Sequence, residues 1–477
     1  MKNKIHFLGQ EKGENSLTLS TIAIDNNDTR TVIDPGRGMI VDEIKGSQTY
    51  GPDLSSIQDG KKIDRVLSTH GHMDHTSFTP VLCNLGMLSD KARIYGTPQT
   101  NSILGITSWD DLNKGADDFD FMDHVNMTER LRELAHPGEN NIEGESIFAD
   151  PNGHMVGSTS YKFRTPSGRV FMFLGDTCLH DQPTVGGAVQ PSEYPKEWIP
   201  DEMTTDLTYA SGGMGEDKTY DQKVEELDDA VITALNQGRV VVCQGFASGK
   251  IPNLAHHLSS LGIPCWIDSA LAWKLLDVYH NKVWSDKDAI LPAPGNGTGI
   301  NRVMNRNHRY ELMKDNEPKI IIATGGMGDF GPILDWYENG LSKDNFLFVA
   351  TSWLAPGSNG ARLVELGSRY PNFSPDGEVA KLRFQKNRKS PTEWREFPVR
   401  AQVRRFGLSS HGTFGDFVNF LVQLIDVRGG RPLERIFLLH GTPGAKRRAK
   451  EELTRLKFAK EVIDPTRDLP DQTIELI

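Results

Sequence analysis

The chain of 477 residues has few cysteines, and they are scattered. Small disulfide-stapled folds and thiolate zinc sites bring cysteines together at short spacings. No Cys-x-x-Cys pair occurs here, so the sequence argues against both. We therefore expect buried, apolar thiols at all four positions, which are Cys83, Cys178, Cys243 and Cys265.

Long apolar runs are also missing. No stretch approaches the roughly 20 apolar residues that cross a bilayer. The N-terminal segment 1–12 has no apolar core of the kind found in a secretion signal. We therefore expect a cytoplasmic protein that does not associate with a membrane.

Positive charge is in deficit, because 53 Lys and Arg face 64 Asp and Glu, a net charge of −11. No global field then attracts nucleic acid, and any binding to phosphate must be local or metal-mediated. The remaining composition, 37% hydrophobic and 25% charged, is ordinary for a globular protein. The length predicts two or three domains.

Short β-branched runs end in polar residues at four places. Buried strands that present polar residues at their C-terminal ends are typical of active sites. The four runs and the residues that follow them are 31–33 before Asp34, 63–67 before Ser68-Thr69-His70, 170–174 before Gly175-Asp176, and 436–439 before His440.

The middle of the chain changes to alternating strands and helices. Apolar spacing predicts a helix over 220–236 and strands over 240–243, 320–323 and 346–350. Such alternation favours a parallel sheet with crossover helices. The acidic stretch 110–123, in contrast, is interpreted as a solvated loop.

The first pattern returns after the alternating segment. We therefore predict a discontinuous domain, formed by residues 1–208 and 399–477, that is interrupted by an α/β domain at residues 209–398.

The densest group of chemistry-bearing residues is Thr69–His75, with three imidazoles and one carboxylate. His70 and His72 alternate as on an extended segment, so both can face one metal ion. Asp74 and His75 come after the chain turns and can reach a second ion. This ligand set suits Zn²⁺ and similar cations. The alternative, a polar loop of hydrogen-bonded histidines, is disfavoured by the density of ligands.

The pattern His-x-His-x-Asp-His after a strand resembles the signature of the metallo-β-lactamase superfamily, and three other residues match that family in order. Asp34 resembles a carboxylate that supports the histidines. His154, in Gly-His-Met-Val-Gly-Ser, resembles a further ligand. Asp176, in Leu-Gly-Asp-Thr, resembles the carboxylate that bridges two metal ions.

The second half of the chain resembles the β-CASP branch of that superfamily, whose members include ribonuclease J and the endonuclease subunit of the pre-mRNA 3′-end cleavage complex. Asp206 in Asp-Leu-Thr-Tyr, Ser409-Ser410-His411, and His440 in Leu-His-Gly match its later motifs. Residues 245–250 resemble its Phe-Ala-x-Gly-Arg segment, with Lys250 where Arg is usual.

The resemblance implies a metallo-β-lactamase αββα sandwich, interrupted by an α/β β-CASP domain with a mainly parallel sheet. It also implies two divalent metal ions, most simply Zn²⁺, with Mn²⁺ as the alternative. The implied ligands are His70, His72 and His154 at the first site and Asp74, His75 and His440 at the second, with Asp176 bridging and Asp34 in support.

The implied activity is that of a metal-dependent ribonuclease in RNA processing or decay. A hydroxide activated by two metals would attack a phosphodiester bond of single-stranded RNA, and His411, held by Asp206, would protonate the leaving oxygen. His440 favours RNA, since relatives acting on DNA tend to carry an apolar residue there. Ser409 and Lys250 are candidate phosphate contacts, and the resemblance also implies a homodimer.

Two alternatives remain open at this point. One is a small-molecule hydrolase of the wider superfamily, and the other is a catalytically silent RNA-binding partner in a processing complex. The stretch 381–405 holds nine basic residues against two acidic ones. It predicts either a track for single-stranded RNA or a solvated hairpin.

Overall fold

The structure, a computed structural model, describes residues 3–476 except 15, 27, 43–45, 211–217, 290, 292, 294, 296, 316, 370–380 and 386–393. The strands are β1 Lys4–Phe7, β2 Ile22–Asn26, β3 Thr29–Ile33, β4 Gly38–Asp42, β5 Gly46–Tyr50, β6 Ile63–Leu67, β7 Leu88–Gly96, β8 Leu131–Glu133, β9 Gly138–Ile142, β10 Glu145–Pro151, β11 Thr159–Arg164, β12 Val170–Phe173, β13 Glu202–Thr204, β14 Val240–Gly245, β15 Cys265–Asp268, β16 Ile300–Arg302, β17 Lys319–Thr324, β18 Phe346–Ala350, β19 Lys381–Gln385, β20 Trp394–Pro398, β21 Gln402–Arg405, β22 Leu433–Phe437, β23 Ala459–Ile463 and β24 Thr473–Glu475.

The helices follow the same order along the chain. They are α1 Met73–Thr76, α2 Thr79–Asn84, α3 Pro98–Asn113, α4 Phe121–Arg130, α5 Tyr220–Asn236, α6 Lys250–Ser260, α7 Ala270–Asn281, α8 Arg306–Lys314, α9 Ile333–Gly340, α10 Asn359–Arg369, α11 Phe414–Val427, α12 Pro443–Leu456 and α13 Pro465–Asp468. Three short 3₁₀ helices lie at Ser55–Ile57, Pro191–Glu193 and Lys196–Trp198.

Two seven-stranded sheets form the larger domain. Their strand orders are β24-β1-β2-β3-β6-β7-β8 and β23-β22-β13-β12-β11-β10-β9. The second sheet combines strands from both ends of the chain, since β13 pairs in parallel with β12 on one side and with β22 on the other. This pairing returns the C-terminal segment to the domain that the N-terminal segment begins.

Alternation along the strands builds the four layers of this domain. Ile33 and Leu67 face the second sheet and pack with Phe173 and Phe437. Their neighbours point to the opposite face, as the period of two requires. On that face Val32, Val66 and Ile94 pack against α2, α3 and α4. The outer face of the second sheet packs in the same way against α11 and α12.

The inserted domain contains a six-stranded sheet with the order β16-β15-β17-β14-β18-β21. All five pairings in this sheet are parallel. The three neighbouring strands β14, β17 and β18 are almost continuously apolar and buried, as central parallel strands are expected to be, whereas the outermost strands β16 and β21 are more polar. The predicted fold class, an αββα sandwich interrupted by an α/β domain with a mainly parallel sheet, is confirmed.

The last strand of this sheet lies beyond residue 398. β21 (Gln402–Arg405) pairs in register with β18, whereas the sequence analysis places it in the returning part of the larger domain. The apolar pattern of 399–406 predicts a strand without specifying its sheet. We propose that the inserted domain extends to Arg405.

The interpretation of residues 110–123 as a loop is wrong for half of that stretch. Helix α3 continues to Asn113, and α4 begins at Phe121. Asp120 and Asp123 form a capping box, in which each side chain accepts a hydrogen bond from the other's backbone N–H. Acidic residues that suggest a solvated loop therefore act here as a helix start signal.

Two other expectations concern thiols and membranes. All four cysteines are free, and three of them are buried. In the described part of the chain, no helix combines the length and apolar character that a bilayer crossing requires.

Candidate metal centre

Parallel strands of both sheets deliver the candidate ligands to one edge of the sandwich. β3 and β6 run in parallel and end before Asp34 and His70. In the second sheet, the parallel strands β12, β13 and β22 end before Asp176, Asp206 and His440. Because the carboxyl ends of parallel strands meet at one edge, residues far apart in sequence converge here.

The backbone is strained at two of these strand ends. Asp34 has a φ of 52° and His440 a φ of 49°, in the left-handed region that non-glycine residues rarely adopt. Such strain costs roughly 1–3 kcal/mol per residue and concentrates at functional sites.

Three imidazoles converge at the first site. His70 Nε2 and His154 Nε2 each lie 3.0 Å from His72 Nδ1. Ligand atoms of these residues and of Asp176 all lie within 4.8 Å of one another. Nitrogens bound at about 2.0–2.1 Å to a tetrahedral zinc would be ~3.3 Å apart. The observed spacing therefore fits one cation.

The second site is built from Asp74, His75, His440 and Asp176, again with ligand atoms within 4.8 Å. His75 Nε2 lies 3.2 Å from Asp176 Oδ2, and His440 Nε2 lies 3.3 Å from Asp74 Oδ2. A glycine permits this approach: a Cβ on Gly36 would lie 1.9 Å from the Asp74 backbone. Any side chain at position 36 would displace the turn that carries Asp74.

Asp34 supports the second site by fixing the orientation of the His75 ring. Its carboxylate is fully buried and accepts hydrogen bonds from the Thr69 backbone N–H (2.7 Å) and the Thr69 hydroxyl (2.6 Å). His75 Nδ1 lies 2.7 Å from the same carboxylate. A proton held on Nδ1 leaves the lone pair of His75 Nε2 directed at the ligand cluster, which is how supporting carboxylates prepare metal-binding histidines.

Electrostatics favour ionised Asp176 and neutral His70 and His154. Burial and neighbouring imidazoles hold the pKa of His70 and His154 well below the usual range. For Asp176, burial opposes ionisation, but His440 and His75 outweigh it and lower its pKa to about 2. These three residues thus have the protonation states that metal binding needs. For His75 and His440, burial opposes the charge, but Asp176 and neighbouring carboxylates outweigh it and raise the pKa of both, so a binding cation would displace a proton from each.

The chemistry of this donor set fits two divalent cations. His75 Nε2 and Asp176 Oδ1 are buried and lack a hydrogen-bond partner among the described residues. Unpaired buried polar atoms are costly, and two lone pairs aimed into one cluster are explained by cations at that place. The residues present thus fit the metal ions that the sequence predicts.

Asp206 and His411 form a pair beside the second site. His411 Nδ1 lies 2.7 Å from Asp206 Oδ2, although 205 residues separate them. Burial opposes the charge of Asp206, but the adjacent His411 and His440 hold its pKa well below the usual range. The His411 side chain keeps 16% exposure, so part of it is accessible from solvent.

Sequence reasoning missed the part played by Thr208. Its hydroxyl hydrogen-bonds to Asp206 Oδ1 (2.7 Å) and lies 2.8 Å from His440 Nδ1. It therefore couples the second site to the Asp206–His411 pair. Its place in the Asp-Leu-Thr-Tyr segment was the available signal.

The two candidate phosphate contacts are engaged within the chain. The Lys250 ammonium is buried and donates to the Leu408 carbonyl and, at 3.3 Å, to the Ser410 hydroxyl. The Ser409 hydroxyl donates to the His411 carbonyl and accepts from the His411 N–H. Their proposed contact with substrate stays a prediction.

The basic stretch 381–405 contains the antiparallel pair β19 and β20. Residues 386–393, with three of its basic side chains, lie outside the described residues. The RNA track therefore also stays a prediction.

Comparison with protein families agrees with this geometry. Residues 18–90 match the family model of the metallo-beta-lactamase superfamily, and residues 253–363 match that of the Beta-Casp domain. Both matches support the resemblance to the β-CASP branch of the metallo-β-lactamase superfamily that the sequence motifs indicate. Divalent metal binding follows from the superfamily and from the ligand cluster.

Curated relatives match most of the chain at low identity. A ribonuclease of Thermus thermophilus is 24% identical over 80% of this chain and 82% of its own length. Cleavage and polyadenylation specificity factor subunit 3-I of Arabidopsis thaliana is 22% identical over 83% of this chain, and this chain spans only about half, 54%, of that longer protein.

A solved structure shows the same fold. A protein of unknown function from Enterococcus faecalis covers 100% of both chains with a TM-score of 0.58 and 14% identity.

Proposed function

We propose that this protein is a metal-dependent ribonuclease that hydrolyses phosphodiester bonds of single-stranded RNA, in RNA processing or decay. One observation carries the proposal: the two proposed ligand clusters share Asp176, and the Asp206–His411 pair lies close enough to Asp176 and His440 to form a third group of titratable side chains with them. A ribonuclease among the relatives supports the choice of RNA.

Two bound cations would supply Lewis acidity at the phosphate and lower the pKa of the attacking water. The remaining roles, which are to hold the cations and to protonate the leaving oxygen, fall to side chains of this protein. His70, His72 and His154 would hold one cation, and Asp74, His75 and His440 would hold the other, with Asp176 available to both groups. Zinc is proposed from the nitrogen-rich first site.

His411 is proposed as the general acid. Asp206 Oδ2 accepts from His411 Nδ1 and thereby orients the ring with its Nε2 free to protonate the departing ribose oxygen. Asp206 is itself held by the backbone N–H of Thr177 (2.9 Å) and by Thr208. This support keeps the carboxylate ionised and the imidazole correctly directed.

The test compares the purified protein with His411→Ala on 5′- and 3′-labelled single-stranded RNA and DNA. We expect RNA cleavage that falls by about 10²- to 10⁴-fold in the variant, with metal content unchanged. Equal rates for both proteins would contradict the acid role. Activity on a thioester or lactam but none on RNA would contradict the proposed substrate.

The products also settle the mode of cleavage. Mononucleotides would indicate an exonuclease and internal fragments an endonuclease. The predicted homodimer remains to be tested by size-exclusion chromatography with light scattering.

A further inference from the structure

Helix α6 of the inserted domain reaches the metal centre with its first turn. Gly249, directly before the helix, lies so close that a Cβ there would sit 3.4 Å from His72 Nε2. Its neighbour Lys250 and, one turn later, Asn253 are both buried. Neither belongs to the ligand set, and both point at segments that hold His154.

Lys250 acts on the imidazole ring of His154 through the segment that contains the carbonyl orienting that ring. His154 Nδ1 lies 2.7 Å from the Ser410 carbonyl oxygen, and this contact directs Nε2 towards His72. The Lys250 ammonium donates to the Leu408 carbonyl and the Ser410 hydroxyl, on the same segment. A lysine of the inserted domain thus hydrogen-bonds at both ends of the segment that carries the acceptor for His154, without contacting that carbonyl itself.

On the backbone side, Asn253 supports the loop that carries His154. Gln182 Nε2 donates to the carbonyls of Gly153 (2.6 Å) and His154 (3.0 Å). Asn253 Nδ2 donates to Gln182 Oε1 at 2.9 Å, and the Thr184 hydroxyl hydrogen-bonds to Asn253 Oδ1. The amide of Gln182 is thereby fixed with its donor facing the His154 loop.

We infer that α6 clamps His154 from two sides, with Lys250 and Asn253 as positioning residues that couple the inserted domain to the first metal site. This rests on the proposed function in so far as His154 is a metal ligand. The role differs from a phosphate contact for Lys250, because its donors already serve the 408–410 segment. Partners that orient a metal-bound histidine typically change metal affinity about 10- to 100-fold when removed.

The experiment measures how fast the zinc-loaded full-length protein transfers zinc to an excess of a chelating dye. Lys250→Met keeps the length of the side chain but removes its donors, and Asn253→Leu keeps the approximate volume of the amide. Lys250→Arg retains donors for the same acceptors. Ser260→Ala, at the exposed end of the same helix, is the matched control.

We expect Lys250→Met and Asn253→Leu each to release one of the two zinc ions about 10-fold faster, while Lys250→Arg and Ser260→Ala stay near the wild-type rate. Circular dichroism checks folding. If Lys250→Met does not fold, Asn253→Leu decides by the same criterion.

Unchanged zinc release in the folded variants would overturn the inference. A higher KM for RNA with normal zinc release in Lys250→Met would assign the lysine to substrate phosphate instead. The assay uses no RNA, so its outcome is separate from the proposed activity. A wild-type protein that binds two zinc ions but cuts no RNA would refute the proposed function alone.

Discussion

Replacing Asp34 by Asn would invert the hydrogen bonding beneath the second metal site while keeping its shape. Asn tolerates the left-handed backbone of this residue about as readily as Asp does. With Oδ1 still accepting from Thr69 N–H, the amide NH₂ would take the place of Oδ2 and would have to donate. His75 Nδ1 could then only accept, which moves the ring proton to Nε2, the atom directed at Asp176.

The expected loss of metal affinity in Asp34→Asn follows from the hydrogen bonds that the substitution changes. A hydrogen bond to a charged group contributes about 1.5–3 kcal/mol. The substitution removes such a bond, and the new amide NH₂ then faces the Thr69 hydroxyl, which is also a donor. That range corresponds to roughly 10- to 100-fold weaker metal binding, as found for partners of ligating histidines. We therefore expect Asp34→Asn to lose the second ion preferentially and to lose RNA cleavage with it.

Competition with a chelator of known affinity, followed by elemental analysis, measures the effect. Asp426→Asn, an exposed position on α11, is the control and should retain two ions per chain. If Asp34→Asn kept both ions with wild-type affinity and cut RNA normally, the assignment of the His75 tautomer would be refuted.

Three other outcomes are expected. Asp206→Asn should lower kcat for RNA by about 10²-fold or more with little change in metal content, because His411 loses the carboxylate that orients it. Steady-state kinetics together with a metal assay checks this, and an unchanged kcat contradicts it. Arg435→Met should lower the free energy of unfolding by about 3–5 kcal/mol, because the fully buried Glu202 would lose the partner that binds it through Nε and Nη2 at 2.8 Å each. Urea denaturation measures this, and a loss below about 1 kcal/mol contradicts it. Chelator treatment should abolish cleavage, Zn²⁺ should restore it, and restoration by Mn²⁺ alone would overturn the choice of zinc.

Much of the fold could be predicted because the core imposes simple periods. Helix α5 and strand β18 fall where the apolar spacing places them, since Leu227 and Val231 must face the sheet and every residue of β18 is buried. The apolar spacing does not indicate which sheet a strand joins. β21 pairs with β18 through backbone hydrogen bonds, which its side chains do not encode, so the domain boundary at 398 stays a prediction beside our proposal of Arg405.

The candidate site also contains residues that the sequence could predict and others that it could not. The ligand side chains could be named because metals demand particular donors, and a family resemblance orders them along the chain. The supports of His154 could not be named, since one is the Ser410 carbonyl, a group that every residue possesses. Another, Gln182, acts only because Asn253 of a different domain fixes its amide.

The most direct test of a metal-dependent ribonuclease is the cleavage rate of end-labelled single-stranded RNA by the wild-type protein and by Asp176→Asn. Asp176 lies in both ligand clusters, so this near-isosteric change should impair both sites at once. We predict RNA cleavage by the wild-type protein and its loss, by about 10³-fold or more, in the variant. Equal cleavage by the two proteins would contradict a reaction at this metal centre.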